Sequence, residues 1–232
     1  MKSNKRIVMG GEGGQGVQAV ADIMALAAYE EGKEALYIPN FGIEQRGGVS
    51  LAFVQIGPEP IGSPKFKEAD LLIALSGRAL ERMLSFLNKD CVILYDSSLL
   101  APPEVSDEVV GRQAYNTIAP EAFAERGQTA RKQEFPEIKQ PFQALYGLPA
   151  GEIARQKIHP RVANMIILGA ATRLTGIVEP DSVKKALQER LANKIKRDPN
   201  LLSLNIKAFE LGWESTEFTL KSPVAAGTTQ KR

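Results

Sequence analysis

Two glycine-rich loops hold most of the residues whose types and spacing can do chemistry in this sequence. The first is Gly10-Gly11-Glu12-Gly13-Gly14-Gln15-Gly16, directly after the apolar run Ile7-Val8-Met9. Within it Gly11, Gly13 and Gly16 satisfy the G-x-G-x-x-G spacing that lets a backbone approach a pyrophosphate at a helix N-terminus. That mode also needs an acidic residue closing the second strand, to hold a ribose, and the stretch Tyr37-Ile38-Pro39-Asn40 has none. The spacing is open to two readings: a phosphate cradle, as in a free-standing dinucleotide-binding oxidoreductase, or glycines for tight packing of helix on strand.

The second loop is Phe41-Gly42-Ile43-Glu44-Gln45-Arg46-Gly47-Gly48. Arg46 offers a planar fork of donors suited to a carboxylate or phosphate. An internal ion pair with Glu44 or Glu12 is an equal alternative. Glu12 and Glu44 would make an acid–base pair if they met, but no histidine or second nucleophile accompanies them. Ser76 and Cys91 also lack a base in sequence. If the sheet is parallel, the loop Gly10–Gly16, the loop Asn40–Gly48, Ser76-Gly77 and Asp96-Ser97 share one edge, where open α/β sheets bind ligands.

Composition narrows the chemistry. One cysteine and one histidine, Cys91 and His159, in 232 residues are too few for a zinc site or for an iron–sulfur cluster held by this chain alone. Redox or metal chemistry is therefore expected on a partner. A net charge of +2 gives no strong field for nucleic acid or anionic membrane. The apolar runs are far short of the ~20 residues of a membrane span, and the one after the basic start Met1–Arg6 is too short for a signal peptide, so a cytoplasmic location is expected.

The elements that must position these loops follow from periodicity. Arg6 to Met9 reads as a buried strand. Val17, Val20, Met24 and Ala27/Ala28 recur at helical spacing up to a stop near Gly32, and Ala35–Ile38 is a second strand, giving a βαβ unit with a parallel pair. Val49–Ile56 is apolar on both faces and predicts a central strand. Leu71–Leu75 and Cys91–Tyr95 are further strands, separated by a helix from about Ala79 to Leu87, and Val109–Tyr115 is a candidate strand. Between about Glu121 and His159 the pattern weakens into an irregular, partly helical excursion. Arg161–Leu174 is apolar nearly all round, which predicts a buried helix in which Asn164 needs a polar partner if enclosed. Helices from Pro180 and over Asn200–Trp213 close a chain whose expected fold is α/β: a Rossmann-like, mostly parallel sheet flanked by helices, with the C-terminal helices packed on it. Residues 1–214 read as one domain, about 115–149 as an insertion, and 215–232 as a tail, mobile or laid on a partner.

Taken together, several motifs resemble one family. Gly11–Gly16 before a small-residue helix is followed by Pro39-x-x-Gly42-x-Glu44-x-Arg46-Gly47-Gly48 and by Ala69-Asp70 before a strand. Later come Arg161-Val162-Ala163-Asn164-Met165 with Leu168-Gly169-Ala170, then Asn205, Ala208-Phe209 and Gly212. This order is similar to the gamma subunit, or gamma-type domain, of the 2-oxoacid:ferredoxin oxidoreductases. The resemblance implies coenzyme-A-dependent oxidative decarboxylation of a 2-oxoacid, with electrons passed to ferredoxin. It implies that thiamine diphosphate, magnesium and 4Fe–4S clusters sit on alpha, beta and delta partners. The gamma chain itself would be non-catalytic, binding no metal and forming an interface. Gly11, Gly13, Gly14, Gln15, Gly16, Glu44, Arg46, Gly47, Gly48 and Ser76 would lie at the interface or near coenzyme A. Two departures stand out: Phe41 where the family often has Tyr, and the segment 115–149.

Overall fold

The computed structural model describes residues 4–41, 48–98, 136, 138–215 and 219–221. Its centre is a seven-stranded sheet with the order β2-β3-β1-β4-β5-β6-β7. The strands are β1 (Lys5–Glu12), β2 (Glu34–Asn40), β3 (Val49–Gly57), β4 (Leu71–Ala74), β5 (Val92–Asp96), β6 (Ala144–Leu148) and β7 (Thr219–Lys221). The strands β1, β4, β5 and β6 form a parallel block, while β3 runs antiparallel to both β1 and β2, and β7 antiparallel to β6. Five of the seven strands thus point the same way, as a mostly parallel sheet requires.

One expected pairing is corrected. β1 and β2 share a direction but do not touch, because β3 slots between them with Lys5 opposite Ile56 and Glu12 opposite Val49. Burial explains the exchange. β3 is apolar on both faces and takes the inner position, whereas β2 is half-exposed and carries Pro39, which an edge tolerates.

Helix α1 (Val17–Glu30) lays Val17, Val20, Ala21, Ile23, Met24, Ala27 and Ala28 on one face of the sheet. The same face receives α4 (Ala163–Thr175), which follows α3 (Ala150–Lys157) and a 3-10 turn at Pro160–Val162. Two further helices complete that layer, α5 (Pro180–Ile195) and α6 (Asn200–Glu214). The buried run Met165–Thr172 of α4 is the apolar-all-round segment expected from the sequence. The opposite face is covered by α2 (Gly77–Met83), capped by the Ser76 hydroxyl and continued by a 3-10 turn at Leu84–Phe86. There Phe53, Phe66 and Phe86 meet edge to face at centroid distances of 5.6, 5.4 and 6.1 Å. Among the described residues no helix is long and apolar enough to cross a membrane.

The irregular excursion read from the sequence is corrected at its C-terminal end, where β6 extends the parallel block and α3 follows it. β6 is only five residues long and contains Gly147, so it shows little alternation. The glycine is needed there, because a Cβ would stand 2.7 Å from the Tyr95 hydroxyl on β5. Val109–Tyr115 lies outside the described residues. Three residues of the expected tail pair with β6 as β7.

Candidate functional site

The chain leaves β1 to one side through α1 and reaches β4 on the other, so the C-terminal end of β1 is a topological switch point. A cleft of about 260 Å³ opens there. The glycine loop supplies Gly14 and Gln15, the end of β4 supplies Leu75, and the end of β5 supplies Asp96 and Ser98. The far wall is α3, with Gly151 in its first turn and Arg155 in its last, then Arg161 in the turn before α4 and Asn164 and Ile167 within α4.

The loop is braced from within. The Gln15 side-chain oxygen accepts from the Glu12 amide at 2.7 Å, and the Gln15 amide donates to the Glu12 carbonyl at 3.0 Å. The Gly13 amide donates to the Gly48 carbonyl at 3.0 Å, which joins the two glycine loops read from the sequence. The individual glycines do different things. A Cβ at Gly11 would meet Gln15 Oε1 at 2.6 Å and Val17 Cγ2 at 2.8 Å, so this glycine serves packing. Gly16 takes φ 79° to start α1, with the Asn164 carboxamide lying against it. Gly14, at φ 103°, has open space where a side chain would be and faces the cleft.

The missing ribose acid now has a structural counterpart. With β3 between β1 and β2, the end of β2 is two strand spacings, about 10 Å, from the glycine loop. A dinucleotide held in the usual way would find no second strand beside the first.

Asp96 closes β5 and braces the start of α3. Its carboxylate accepts from the Ser98 amide at 3.0 Å, the Ser98 hydroxyl at 2.6 Å, the Gly151 amide at 3.1 Å and the Ala150 amide. Ser98 in turn accepts from the Glu152 amide at 3.2 Å. Burial nevertheless pushes the Asp96 carboxyl above the usual carboxylate range, outweighing these bonds. Glu12 lies on the α2 side of the sheet, 4% exposed, and burial raises its carboxyl too, against the Arg78 charge and the Ser76 hydroxyl. Among the described residues its Oε1 has no hydrogen-bond partner.

Of the residues singled out from the sequence, Gly14 and Gln15 line the cleft, while Gly11, Gly13, Gly16 and Gly48 build the loop behind it. Ser76 is placed elsewhere: it is 1% exposed, caps α2 through the Ala79 amide at 3.2 Å, and faces Glu12 rather than the cleft. Glu44, Arg46 and Gly47 lie outside the described residues. Sequence reading missed Arg155 and Arg161 as cleft residues. Their only local signal is two arginines bracketing His159-Pro160, which is ordinary for a solvated helix end. Among the described residues no cluster of His, Cys, Asp or Glu could hold a metal, and Cys91 is buried with its thiol pushed up to about 12.

The comparisons with known proteins agree with one another. A family model described as pyruvate ferredoxin/flavodoxin oxidoreductase matches residues 6–215. The 2-oxoglutarate synthase subunit KorC of Methanocaldococcus jannaschii is 31% identical over 216 residues, 92% of this chain and 97% of that protein. The keto/oxoacid ferredoxin oxidoreductase gamma subunit of Geobacter sulfurreducens superposes with a TM-score of 0.64 at 26% identity, over 92% of this chain and 96% of that one. The 2-oxoglutarate:ferredoxin oxidoreductase of Magnetococcus marinus, solved with 2-oxoglutarate, coenzyme A and succinyl-CoA bound, gives a TM-score of 0.66 at 24% identity. That likeness is one of fold, and it covers 91% of this chain but 31% of the longer one.

Proposed function

Because the chain belongs to the pyruvate ferredoxin/flavodoxin oxidoreductase family, we propose that it is the gamma-type subunit of a 2-oxoacid:ferredoxin oxidoreductase. The assembled enzyme decarboxylates a 2-oxoacid oxidatively, forms its coenzyme A thioester and passes electrons to ferredoxin or a related acceptor. Thiamine diphosphate, magnesium and 4Fe–4S clusters reside on alpha, beta and delta partners in the cytoplasm. This chain contributes one α/β domain over residues 1–214, followed by a C-terminal tail.

The observation that carries this reading is the pair of coverages. The fold matches an isolated gamma subunit nearly end to end, and it matches about a third of a longer oxidoreductase chain. A unit found both alone and within a larger chain is a module of an assembly. The side chains support the same division of labour, since the lone thiol is buried and no histidine lines the cleft. The joined loops, through Gly13, Gly14, Gln15 and Gly48, border the partner chains and the approach of coenzyme A; Glu44, Arg46 and Gly47 are given the same role from the sequence motif alone.

Co-purification tests it. The chain is expected to purify with a thiamine-binding subunit and a cysteine-rich one, in a complex that reduces ferredoxin when given a 2-oxoacid and coenzyme A. A stable solitary chain, beside an oxidoreductase that turns over fully without it, would end the proposal.

A further inference from the structure

Helix α5 starts beside the end of α1, where the Glu179 amide donates to the Glu31 carboxylate at 2.6 Å. Further along, its Arg190 pairs with Asp22 in the first half of α1. The two helices are therefore antiparallel, and the last turn of α5 comes out at the sheet edge where the glycine loop starts α1. Helix α6 leaves from that edge and ends beside the end of α4, where Arg173 donates to the Trp213 carbonyl at 2.8 Å. The α5–α6 corner thus stands on the side of the molecule that carries the joined glycine loops.

Two observations meet at this corner. The first is charge. Lys194, Lys196 and Arg197 are exposed, and among the described residues none of their side chains has an ion-pair or hydrogen-bond partner. Neighbouring acids are engaged: Asp22 takes Arg190, and Glu210 takes Lys184 at 2.9 Å. From Arg190 to Asn200 the only acid is Asp198, whose carboxylate accepts from the Asn200 amide at 3.1 Å. A helix C-terminus carries roughly half a negative charge, so one cation answers it, and the corner stays positive with Asp198 counted as well. The second observation is apolar surface. Ile195, Leu201, Leu202 and Ile206 are half-buried, yet none packs on either core, unlike Leu191, Leu204 and Leu211 on the same helices. Leu202 and Ile206 are one helical turn apart and share a face.

Aliphatic side chains beside unpaired cations fit a protein surface of opposite sign, since interfaces join an apolar middle to a polar rim whose charges are complementary. A second copy fits poorly, because a two-fold contact would set like charges against each other. An anionic membrane also fits poorly. Segments held there by charge cluster about 4–8 cations, and this corner has three, with no Trp or Tyr at its tip to anchor among headgroups. We propose that the α5–α6 corner docks an acidic face of a neighbouring subunit. Leu202, Ile206 and their aliphatic neighbours enter its apolar centre, and Lys194, Lys196 and Arg197 pair with its carboxylates. This rests on the gamma-subunit reading, which puts partner chains along the same edge, and adds the sign and chemistry of the surface they present.

The rate at which the chain leaves the native assembly, held through a tagged partner subunit and washed at salt from about 0.1 to 0.5 M, tests the docking. The parent should leave faster as salt rises. The triple variant Lys194→Glu, Lys196→Glu, Arg197→Glu should leave about tenfold faster or more at low salt, because like charges then meet, and should slow as salt screens them. The corresponding triple Gln variant should fall between the two. Leu202→Ser with Ile206→Ser should speed release at every salt concentration. Lys89→Glu, an exposed site before β5 at the opposite edge, should behave as the parent, and thermal unfolding of all variants should stay near the parent. A triple Glu variant that leaves at the parent rate with the parent salt dependence overturns the docking surface and leaves the subunit assignment standing. A parent chain recovered with no partner removes both. Unchanged release with lost binding of the assembly to phosphatidylserine vesicles would overturn it in favour of a membrane. A halved assembly mass with every chain retained would overturn it in favour of a second copy.

Discussion

Glu12 ends β1 where the sheet stops and the loop begins, and its carboxyl is held in an unfavourable place for a charge. Burial raises its affinity for a proton, and the Arg78 charge and Ser76 hydroxyl only partly oppose this. The sign follows from linkage. With a folded-state pKa above the ordinary 4.5, the folded chain binds the proton more tightly than the unfolded one. Stability from this group therefore falls as pH rises from 4.5 through the raised folded value, and the full penalty applies above it. Glu12→Gln removes the titration, so the stability of the variant relative to the parent is expected to improve steadily across that window. Urea unfolding at a series of pH values measures the difference. Asp96, raised in the same direction, is present in both proteins and cancels. Parallel curves would mean that the Glu12 carboxyl is not strained by burial.

Helices α4 and α6 approach each other through glycine, and this contact has a sign that propensity alone gets wrong. Alanine is favoured over glycine inside a helix by about 1 kcal/mol. A Cβ at Gly169, however, would overlap the Phe209 carbonyl and stand 2.7 Å from the Trp213 amide nitrogen. One at Gly212 would overlap the Ile166 carbonyl, 2.7 Å from its carbon. Those neighbours are backbone and cannot rotate away, so the helices must part and loosen the packing around Phe209 and Met165. Gly169→Ala and Gly212→Ala should each cost about 1–3 kcal/mol, as overpacking does. Gly62→Ala, where a Cβ meets nothing within 4 Å, should be near neutral. Thermal unfolding ranks the three, and a stabilised Gly169→Ala would refute the contact. These glycines were visible in the sequence only as part of a resemblance, because helical spacing records which residues are apolar and not how closely two backbones lie. The same limit runs through the fold. Long amphipathic or wholly apolar segments such as α1 and α4 were legible because many residues repeat one periodicity. The five-residue β6 was not, and the place of β3 between β1 and β2 depends on a competition for the sheet interior that no single segment states. Arg155 and Arg161 were illegible for a similar reason: α3 ends and α4 begins at one cleft only after β6 has joined the sheet.

At the scale of the molecule, the C-terminal edge of the parallel strands gathers the cleft, the bond joining the two glycine loops, and Phe41, a large side chain left 68% exposed just past β2. The opposite edge offers a natural control. Because α1 runs back across the sheet, its end places Tyr29 there, 71% exposed. The two aromatics are exposed to a similar extent and occupy different edges. If partner subunits dock on the edge that carries the cleft, Phe41→Ser removes an anchor of the kind that dominates interfaces. It should then lower the fraction of chain recovered with its partners, whereas Tyr29→Ser should leave recovery at the parent level. Neither change should move stability by more than about 0.5 kcal/mol, since both side chains lie on the surface. Affinity purification through a partner subunit, with the bound fraction quantified, separates the cases. Loss of partners from Tyr29→Ser with Phe41→Ser intact would put the docking face on the far edge, and the cleft would then open to solvent instead of to the neighbouring chains.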